Sequence, residues 1–304
     1  MPPQADIYGK RVLPAPTSAE TKEAALTDLL RGYGQALVAF SAGVDSTYLL
    51  DVAVSVLGAR VAAVTADSPS LARASLAEAE AFCQSRGIRH HVVATDEFEI
   101  EAYRANDGKR CYHCKSALFK AMNGLARASA AERGPQALLL GAIAEDFTDV
   151  RPGLQAAAEA GARWPLADVG FTKADVRARS QARALATWDR PAEPCLSSRV
   201  PYGEPVTPAG MRMIEGAEAC LRRLGLRECR ARHHQVGGGR GHLCRIEVPD
   251  ADLARVLAAR ADLVPALRAL GYANVALDLA GFASGGFNRL LTGVELDAAR
   301  PTNP

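Results

Sequence analysis

The segment Ser41-Ala42-Gly43-Val44-Asp45-Ser46 stands between an apolar run at residues 36–40 and a helix-like continuation at 47–50. This order predicts a buried strand, a tight turn of small residues and the start of a helix. The backbone N–H groups of such a turn and the helix dipole both favour an anionic ligand. No Lys follows the Gly, so the segment differs from the Lys-bearing phosphate loop of common NTPases. The alternative is an ordinary strand-to-helix turn in which Ser or Asp caps the helix.

Composition and charge describe an ordinary globular chain. It has 304 residues, of which 48% are hydrophobic, and a formal net charge of +2. This length accommodates one large domain or two of ordinary size, and the balanced charge does not indicate a nucleic-acid partner. No apolar run reaches the roughly 18 residues of a membrane span, and residues 1–19 lack the pattern of a signal peptide. We therefore expect a cytoplasmic enzyme without a membrane or nucleic-acid partner.

Strand-like and helix-like runs alternate through the first two thirds of the chain. Strands are predicted at residues 36–40, 61–65, 91–94 and 137–140, and helices at 46–57, 71–86, 115–131 and 173–185. This alternation is typical of an α/β fold with a Rossmann-like parallel sheet that is covered by helices on both faces. Loops that follow the carboxyl ends of parallel strands form the ligand crevice. The 41–46 loop, Asp67 with Ser68, and residues 141–149 are therefore predicted to share one crevice.

The chain changes character at residues 189–208, which contain five prolines and Gly203. We interpret 1–20 as a disordered or extended N-terminal segment, 21–190 as the α/β domain, 191–208 as an ordered junction, 209–288 as a smaller C-terminal α+β domain and 289–304 as a tail. The smaller domain is predicted to have a helix at 209–224, strands at 228–233, 243–248 and 275–279, and helices within 250–270. Residues 237–241, rich in glycine, predict a flexible hairpin connection.

The seven cysteines, an odd number, argue against a disulfide framework. Cys111 and Cys114 are three positions apart, a spacing that suits one soft metal or one cluster iron. No second pair of this kind exists, so a structural zinc site has no support, and a redox pair or chance spacing remains open. Four others are expected to be small buried hydrophobic residues within helices or strands: Cys83, Cys220, Cys229 and Cys244.

The last cysteine, Cys195, lies inside the junction in the sequence Glu193-Pro194-Cys195-Leu196-Ser197-Ser198-Arg199. A positive neighbour such as Arg199 lowers the pKa of a thiol and favours the nucleophilic thiolate. The alternative is a buried linker cysteine.

A phosphate-type site is a further hypothesis, built from Ser198, Arg199, Glu218, Arg230 and Arg232. Arg230 and Arg232 are two positions apart on a predicted strand and therefore face the same way. Two guanidinium groups on one face suit a phosphate or a carboxylate. The alternative is a solvated strand face with ordinary charges. The adjacent His233 and His234 point to opposite faces, so they are not expected to share a metal.

Five stretches together resemble the LarE family of ATP-dependent sacrificial sulfur transferases, relatives of the ATP pyrophosphatases. They are the loop 41–46, Arg-Cys-Tyr-His-Cys-Lys at 110–115, and residues 141–153, 188–203 and 277–288. The resemblance extends from about residue 21 to residue 288. Single loops of this kind occur in other pyrophosphatases, whereas the combination in this order indicates this family. It implies a PP-loop domain of the adenine nucleotide alpha-hydrolase type.

The resemblance implies an ATP-dependent reaction on a pyridinium-dicarboxylate mononucleotide, in the synthesis of the nickel-pincer nucleotide that lactate racemase uses. ATP with Mg²⁺ would adenylate a carboxylate, and sulfur would then displace AMP and leave a thiocarboxylate. In one branch of the family the sulfur comes from a Cys side chain of the enzyme itself. In another branch three cysteines hold a [4Fe–4S] cluster that carries the sulfide. The resemblance also implies a homo-oligomer with a functional link to lactate racemase maturation proteins.

The resemblance assigns roles to individual residues of this chain. ATP would be bound by Ser41, Gly43, Val44, Asp45, Ser46 and Asp67, with Asp45 also a candidate Mg²⁺ ligand. The phosphate end of the substrate would be bound by Ser198, Arg199, Glu218, Arg230 and Arg232, with Cys195 at the reacting carboxylate. The coexistence of Cys111, Cys114 and Cys195 points to the cluster-bearing branch. Mg²⁺ or basic side chains would be held by Glu145, Asp146 and Asp149.

Three features depart from the family pattern. Ala42 stands where a second Gly is usual, which is tolerated unless φ is positive there. The 237–241 hairpin is longer than expected, and Ala283 stands where a basic residue is common. Two other classes remain open: another adenylating PP-loop enzyme, for tRNA thiolation or amidation, and a non-catalytic adenine nucleotide sensor. A sensor would not need Cys195.

Overall fold

A computed structural model of the chain describes residues 18–147 and 151–282. Asp149, Ala283 and both terminal segments lie outside the described residues. The strands are β1 Ala36–Ala39, β2 Val61–Asp67, β3 Arg89–Ala94, β4 Ala137–Leu140, β5 Arg230–Val236, β6 Gly241–Glu247 and β7 Asn274–Leu277. One sheet has the order β3-β2-β1-β4 with parallel pairing throughout, and the other has the order β5-β6-β7. The predicted α/β fold with a Rossmann-like parallel sheet is thereby confirmed.

Helices cover both faces of the parallel sheet. They are α1 Ala19–Tyr33, α2 Val44–Leu57, α3 Arg73–Ser85, α4 Glu101–Arg104, α5 Arg110–Arg133, α6 Pro152–Glu159, α7 Pro165–Asp168 and α8 Lys173–Ala182, followed by α9 Pro208–Arg223, α10 Leu253–Ala258 and α11 Arg260–Ala269. Alternate residues of β1 point to opposite faces. Val38 packs into a core with Leu50 of α2, while Leu37 packs into a second core with Phe119 of α5. The loops after these strands are thus held at one edge of a rigid sheet.

The sequence patterns above do not predict α1, although its signals are present. Ser18 caps the helix by accepting a hydrogen bond from the Thr21 N–H at 3.2 Å, and Leu26 and Leu30 are fully buried on one face. Two ion pairs fix α1 on α8: Lys22 with Asp175 at 2.6 Å, and Glu23 with Arg179 at 2.7 Å. The spacing of the leucines and the Ser cap are the signals that predict such a helix.

Helix α5 begins five residues earlier than the predicted start at residue 115, at Arg110. The first turn is closed by hydrogen bonds from the Arg110 N–H to the Asp107 carbonyl at 3.1 Å and from the Tyr112 N–H to the Lys109 carbonyl at 2.8 Å. Cys, Tyr and His are weak helix formers, so local propensity gave no reason to extend the helix over them. As a result, Cys111 and Cys114 stand in the first turn of a helix and not before it.

The second sheet pairs β5 with β6 antiparallel and β6 with β7 parallel. One face packs on helices α9 and α11, where Cys229 and Cys244 are buried in the core, as predicted. The connection between β5 and β6 contains Gly237, Gly238 and Gly239, all with positive φ. The predicted hairpin is therefore confirmed, because left-handed backbone favours glycine.

His233 and His234 of β5 face opposite ways, as predicted. The His233 ring stacks on His242 and lies 3.2 Å from the Tyr272 hydroxyl, whereas His234 lies 3.2 Å from Arg245. Burial lowers the pKa of His233 to about 4.

In residues 18–147 and 151–282, each helix is too short or too polar to span a membrane.

Candidate active site

The loop after β1 presents the open N-terminus of α2. Gly43 is the N-cap residue, and no side chain of the described residues caps the helix. The first-turn N–H groups of a helix have no partner within it, so they remain available to an anion. The Ser46 hydroxyl closes the loop, since it donates to the Gly43 carbonyl at 3.2 Å and lies 3.3 Å from the Ser41 N–H. The alternative of a turn capped by Ser or Asp does not hold. Val44 is buried in the core, so only its backbone faces the loop.

The end of β4 comes into close contact with the start of α2. A Cβ atom on Gly141 would lie 3.0 Å from the Ser46 nitrogen and 3.1 Å from the Asp45 carbonyl carbon. Gly141 does not have a positive φ, so the requirement for glycine here is one of space. The loop after β4 and the loop after β1 therefore share one edge of the sheet, as predicted.

Ala42 has a φ of 55° and is buried. A positive φ is the condition under which an alanine is strained, by about 1–2 kcal/mol. Arg190, directly before the junction, donates a hydrogen bond from Nη1 to the Ala42 carbonyl at 3.0 Å and also pairs with Glu78. Arg190 thus fixes the backbone of the strained turn at Ala42.

Asp45 is paired with Lys173, the first residue of α8, at 2.6 Å. Burial raises the pKa of Asp45 above its ordinary value, although Lys173 opposes the rise and Asp146 adds to it. The second carboxylate oxygen, Oδ1, is buried without a hydrogen-bond partner among the described residues. An orphaned carboxylate oxygen beside a second carboxylate is the donor set that Mg²⁺ prefers. Asp45 and Asp146 therefore fit a magnesium ion.

The other acidic candidates divide between two roles. Asp146 pairs with Arg151 at 2.9 Å, and Glu145 accepts the backbone N–H of Lys173 at 3.0 Å. The Asp146 contact agrees with the expectation that these acids hold basic side chains, whereas Glu145 holds the backbone at the start of α8. Asp67 pairs with Arg73 at 2.6 Å at the end of β2.

A cavity of about 900 Å³ extends from the 41–46 loop to the second sheet. Its walls include most of the predicted site residues: Ser41, Gly43, Asp45, Ser46, Cys111, Cys114, Cys195, Ser198, Arg230 and Arg232. Five predicted residues do not line it: Val44, Asp67, Glu145, Arg199 and Glu218. The three cysteines face the cavity from two directions, because Cys111 and Cys114 lie on one face of α5 and Cys195 lies in the junction.

The three thiols differ in exposure. Cys111 and Cys195 are exposed, and Cys114 is half-buried. Burial raises the pKa of the Cys114 thiol to about 12, and the neighbouring Cys195 and Glu97 add to the rise. Among the described residues, no three His, Cys, Asp or Glu side chains are grouped as a single metal ion requires.

Arg110 and Lys115, and not Arg199, are the cations near the cavity thiols that have no carboxylate partner among the described residues. Arg199 is almost fully buried and pairs with Glu218 at 2.7 Å, so a carboxylate neutralises its charge. Arg110 is also buried, and it donates to the Ser197 carbonyl at 2.8 Å. Burial acts to lower the pKa of Arg110, but Cys111 and Cys195 raise it above the ordinary value. The expected electrostatic support for a thiolate therefore comes from a different residue.

Arg230 and Arg232 face the cavity side by side on β5, as their spacing predicts. Both are 6% exposed, so the alternative of a solvated strand face is wrong. Arg232 pairs with Glu247 at 2.8 Å. Arg230 donates to the Ala192 and Cys229 carbonyls at 2.6 and 2.8 Å and has no carboxylate partner among the described residues. Burial lowers the pKa of Arg230 to about 10. A buried guanidinium without a counter-ion is suited to an anionic ligand group.

Four residues of the site were not predicted from the sequence: Glu97, Arg110, Gly141 and Lys173. Gly141 and Arg110 lie at the edges of stretches that were singled out, but neither residue type nor spacing marked them. Lys173 reaches Asp45 across 128 positions of the chain. Contacts of this range leave no local signal in one sequence.

The parallel sheet and the open helix N-terminus after β1 define the class as an α/β protein of Rossmann-like architecture, whose first loop suits an anion and lacks the lysine of common NTPases. No family profile matches the chain. The chain is 35% identical over 277 residues to the pyridinium-3,5-bisthiocarboxylic acid mononucleotide synthase of Lactiplantibacillus plantarum, a match that covers 91% of this chain and 97% of the relative. It therefore belongs to the LarE family.

Two further relatives are uncharacterized proteins. One, from Synechocystis sp., is 42% identical over 275 residues, which cover 89% of this chain and 99% of the relative. The other, from Methanocaldococcus jannaschii, is 24% identical over 243 residues, which cover 80% of this chain and 88% of the relative. The similarity therefore extends over nearly the whole length of each protein.

Proposed function

We propose that this protein is an ATP-dependent sulfur transferase that converts a carboxylate of a pyridinium-dicarboxylate mononucleotide to a thiocarboxylate, in the synthesis of a nickel-pincer nucleotide. The observation that carries the proposal is the common cavity: the 41–46 loop, Cys195 and the Arg230–Arg232 pair all line it. The Lactiplantibacillus relative is named as a synthase of a pyridinium bisthiocarboxylic acid mononucleotide, which supports this substrate class. An adenine nucleotide sensor has no use for a nucleophile and a second anion site beside its loop.

Adenylation is the first half of the proposed reaction. A carboxylate is a poor electrophile, and its attack on the α-phosphate of ATP forms an acyl adenylate and releases pyrophosphate. The first-turn N–H groups of α2 would hold the departing pyrophosphate. Asp45, with its orphaned oxygen, and Asp146 would hold the Mg²⁺, which neutralises phosphate charge when bound. Arg230 and Arg232 would orient the mononucleotide through its phosphate.

Sulfur transfer is the second half. The Cys195 thiolate attacks the acyl carbon, the acyl–oxygen bond breaks, and AMP leaves with its electron pair. If Cys195 is the sulfur donor, removal of its α-proton and cleavage of its Cβ–S bond release the thiocarboxylate and leave dehydroalanine. Arg110 lies close enough to Cys195 for the two groups to interact electrostatically, so it would stabilise the attacking thiolate.

A [4Fe–4S] cluster is the second candidate sulfur source. Cys111 and Cys114 lie one helical turn apart on α5, and Cys195 lines the same cavity. Gly153 approaches the start of α5 closely, since a Cβ atom on it would lie 3.0 Å from the Lys115 Cγ and 3.4 Å from the Cys111 carbonyl oxygen. The three thiols are the donor type that such a cluster takes, and their common cavity supports this second source. When bound, such a cluster would supply a sulfide on the iron that the three thiolates leave free.

Mass spectrometry of the protein before and after reaction with ATP and the dicarboxylate mononucleotide tests the proposal. Loss of one H₂S from the Cys195 peptide, with thiocarboxylate formed, identifies Cys195 as the donor. An unchanged peptide with product formed identifies a cluster or another sulfur source, and anaerobic iron and sulfide analysis then tests the cluster. Cys195→Ala should bind ATP and form no product, whereas Cys220→Ala, outside the cavity, should behave as the wild type. Full activity of Cys195→Ala would refute both routes.

A further inference from the structure

Glu97 is a buried carboxylate that neither the fold nor the reaction described above uses. It begins a short 3-10 turn, Glu97–Glu99, just after β3. The residue is 1% exposed, and it lines the cavity. Its Oε2 atom is buried without a hydrogen-bond partner among the described residues. The nearby Glu99, by contrast, is exposed to solvent.

A buried carboxylate without a partner is costly, because the charge has lost its hydration and has gained nothing in return. In native proteins such groups are rare, and each calls for a partner that the structure does not contain. No salt bridge joins Glu97 to any basic side chain within the described ranges. The cavity that it faces has room for a ligand. The missing partner of Glu97 is therefore to be sought in the ligand.

The position of Glu97 places it at the sulfur end of the cavity. The next residue, Phe98, belongs with Leu196 to an apolar cluster against which Cys114 packs, and Glu97, Cys114 and Cys195 all line the cavity. Under the proposed function, Cys195 meets the reacting carboxyl carbon. That carbon is attached directly to the pyridinium ring, so the ring lies beside the same group of residues.

We propose that Glu97 binds the positively charged pyridinium ring of the substrate. This inference rests on the proposed function and extends it to a residue that selects the ring by its charge. The mononucleotide carries anionic groups, which Arg230 and Arg232 suit, and one cationic group, which they repel. A buried carboxylate on the wall of the same cavity complements the cation, and it discriminates against a ligand of the same shape with a neutral ring.

Two ligands that differ only in ring charge provide the test. Nicotinic acid mononucleotide has a cationic pyridinium ring, and its 1,4-dihydropyridine form has a neutral ring with the same ribose, phosphate and carboxylate. Dissociation constants are measured by calorimetry for the wild type, Glu97→Gln and Glu99→Gln. Glu97→Gln keeps the size of the side chain and removes its charge, and Glu99→Gln is the matched control on the same turn.

We expect Glu97→Gln to raise the Kd of the pyridinium ligand about 10- to 100-fold and to leave the Kd of the neutral ligand within about twofold. Glu99→Gln should change neither. An equal loss for both ligands, or no loss for either, would overturn the inference and leave the proposed function standing. Failure of the wild type to bind either ligand would count against the proposed function and the inference together.

The urea midpoint of Glu97→Gln separates binding from a structural role. Because the Glu97 carboxylate has no partner in the described part of the chain, its neutral isostere should be at least as stable as the wild type. A markedly lower midpoint would show that Glu97 supports the fold and would overturn the assignment.

Discussion

Gly141 is predicted to be essential for the position of the 41–46 loop, and Gly141→Ala is the change that tests it. The new Cβ would lie 3.0 Å from the Ser46 nitrogen and 3.1 Å from the Ser46 Cα and Asp45 carbonyl carbon. These are backbone atoms of a helix whose next turn, including Leu49 and Leu50, is fully buried. Because only backbone atoms are contacted, no side-chain rotation can relieve the contact, and the start of the helix itself would have to move.

The expected magnitude follows from two opposing terms. Overpacking of this kind costs about 1–3 kcal/mol. The loss of glycine's freedom in the unfolded chain returns about 0.4–1 kcal/mol. We therefore expect Gly141→Ala to lower the free energy of unfolding by about 1–2 kcal/mol. Because the first-turn N–H groups of α2 shift with the contact, we also expect ATP affinity to fall about tenfold.

Gly124→Ala is the matched control. Gly124 lies in the interior of α5, and a Cβ atom there would meet nothing within 4 Å. This variant should gain about 0.5–1 kcal/mol, as a helical Gly→Ala change does in open space. Urea unfolding gives the stability of both variants, and calorimetry gives the ATP affinity. If Gly141→Ala is as stable as Gly124→Ala and binds ATP as the wild type does, the reasoning from the close approach is refuted.

Three further variants test the electrostatics of the site and the second sheet. Lys173→Met should raise the pKa of Asp45 further, since Lys173 opposes the effect of burial. In the pH profile of pyrophosphate release, the fall in rate at acidic pH should therefore begin at a higher pH, and an unchanged profile would contradict this. Arg190→Ala should weaken ATP binding severalfold, because it removes the hydrogen bond that holds the Ala42 carbonyl of the 41–46 loop. Arg227→Ala, which removes only an exposed ion pair, should not weaken it. Equal effects of the two variants on ATP affinity would contradict this role of Arg190. His233 has a folded pKa of about 4 against an ordinary 6.5, so the unfolded chain binds more protons between these values and stability falls with falling pH. His233→Phe should reduce the loss of unfolding free energy between pH 7 and pH 5 by about 2 kcal/mol, measured by urea unfolding; an unchanged loss would rule out this role.

The local sequence predicts the framework of the site well. The strand before Ser41 and the period-two spacing of Arg230 and Arg232 each specify a backbone geometry, and the structure has that geometry. Gly43 does not, because its φ of −74° is open to any residue and the positive φ of the turn falls on Ala42. Strand periodicity acts over a few residues, so a single sequence carries its full signal. The same holds for the hairpin between β5 and β6.

The partners of the charged side chains could not be predicted in this way. Arg199 follows Cys195 closely in sequence and suggests support for a thiolate, but Glu218, 19 positions away, pairs with it at 2.7 Å. In the sequence, Lys173 is an ordinary residue at the start of a helix. Its contact with Asp45 depends on how α8 packs against α2. Ion pairs of this kind depend on tertiary packing, which no local pattern specifies.

The contrast in accessibility among the cysteines provides a chemical handle. Cys111 and Cys195 are exposed, whereas Cys83, Cys229 and Cys244 are buried, and burial raises the pKa of each of their thiols to about 11 or 12. A thiol-alkylating reagent at mildly alkaline pH reacts with thiolates that it can reach. Brief alkylation would therefore label the cavity thiols first, and protection by a bound ligand would report occupancy without any turnover.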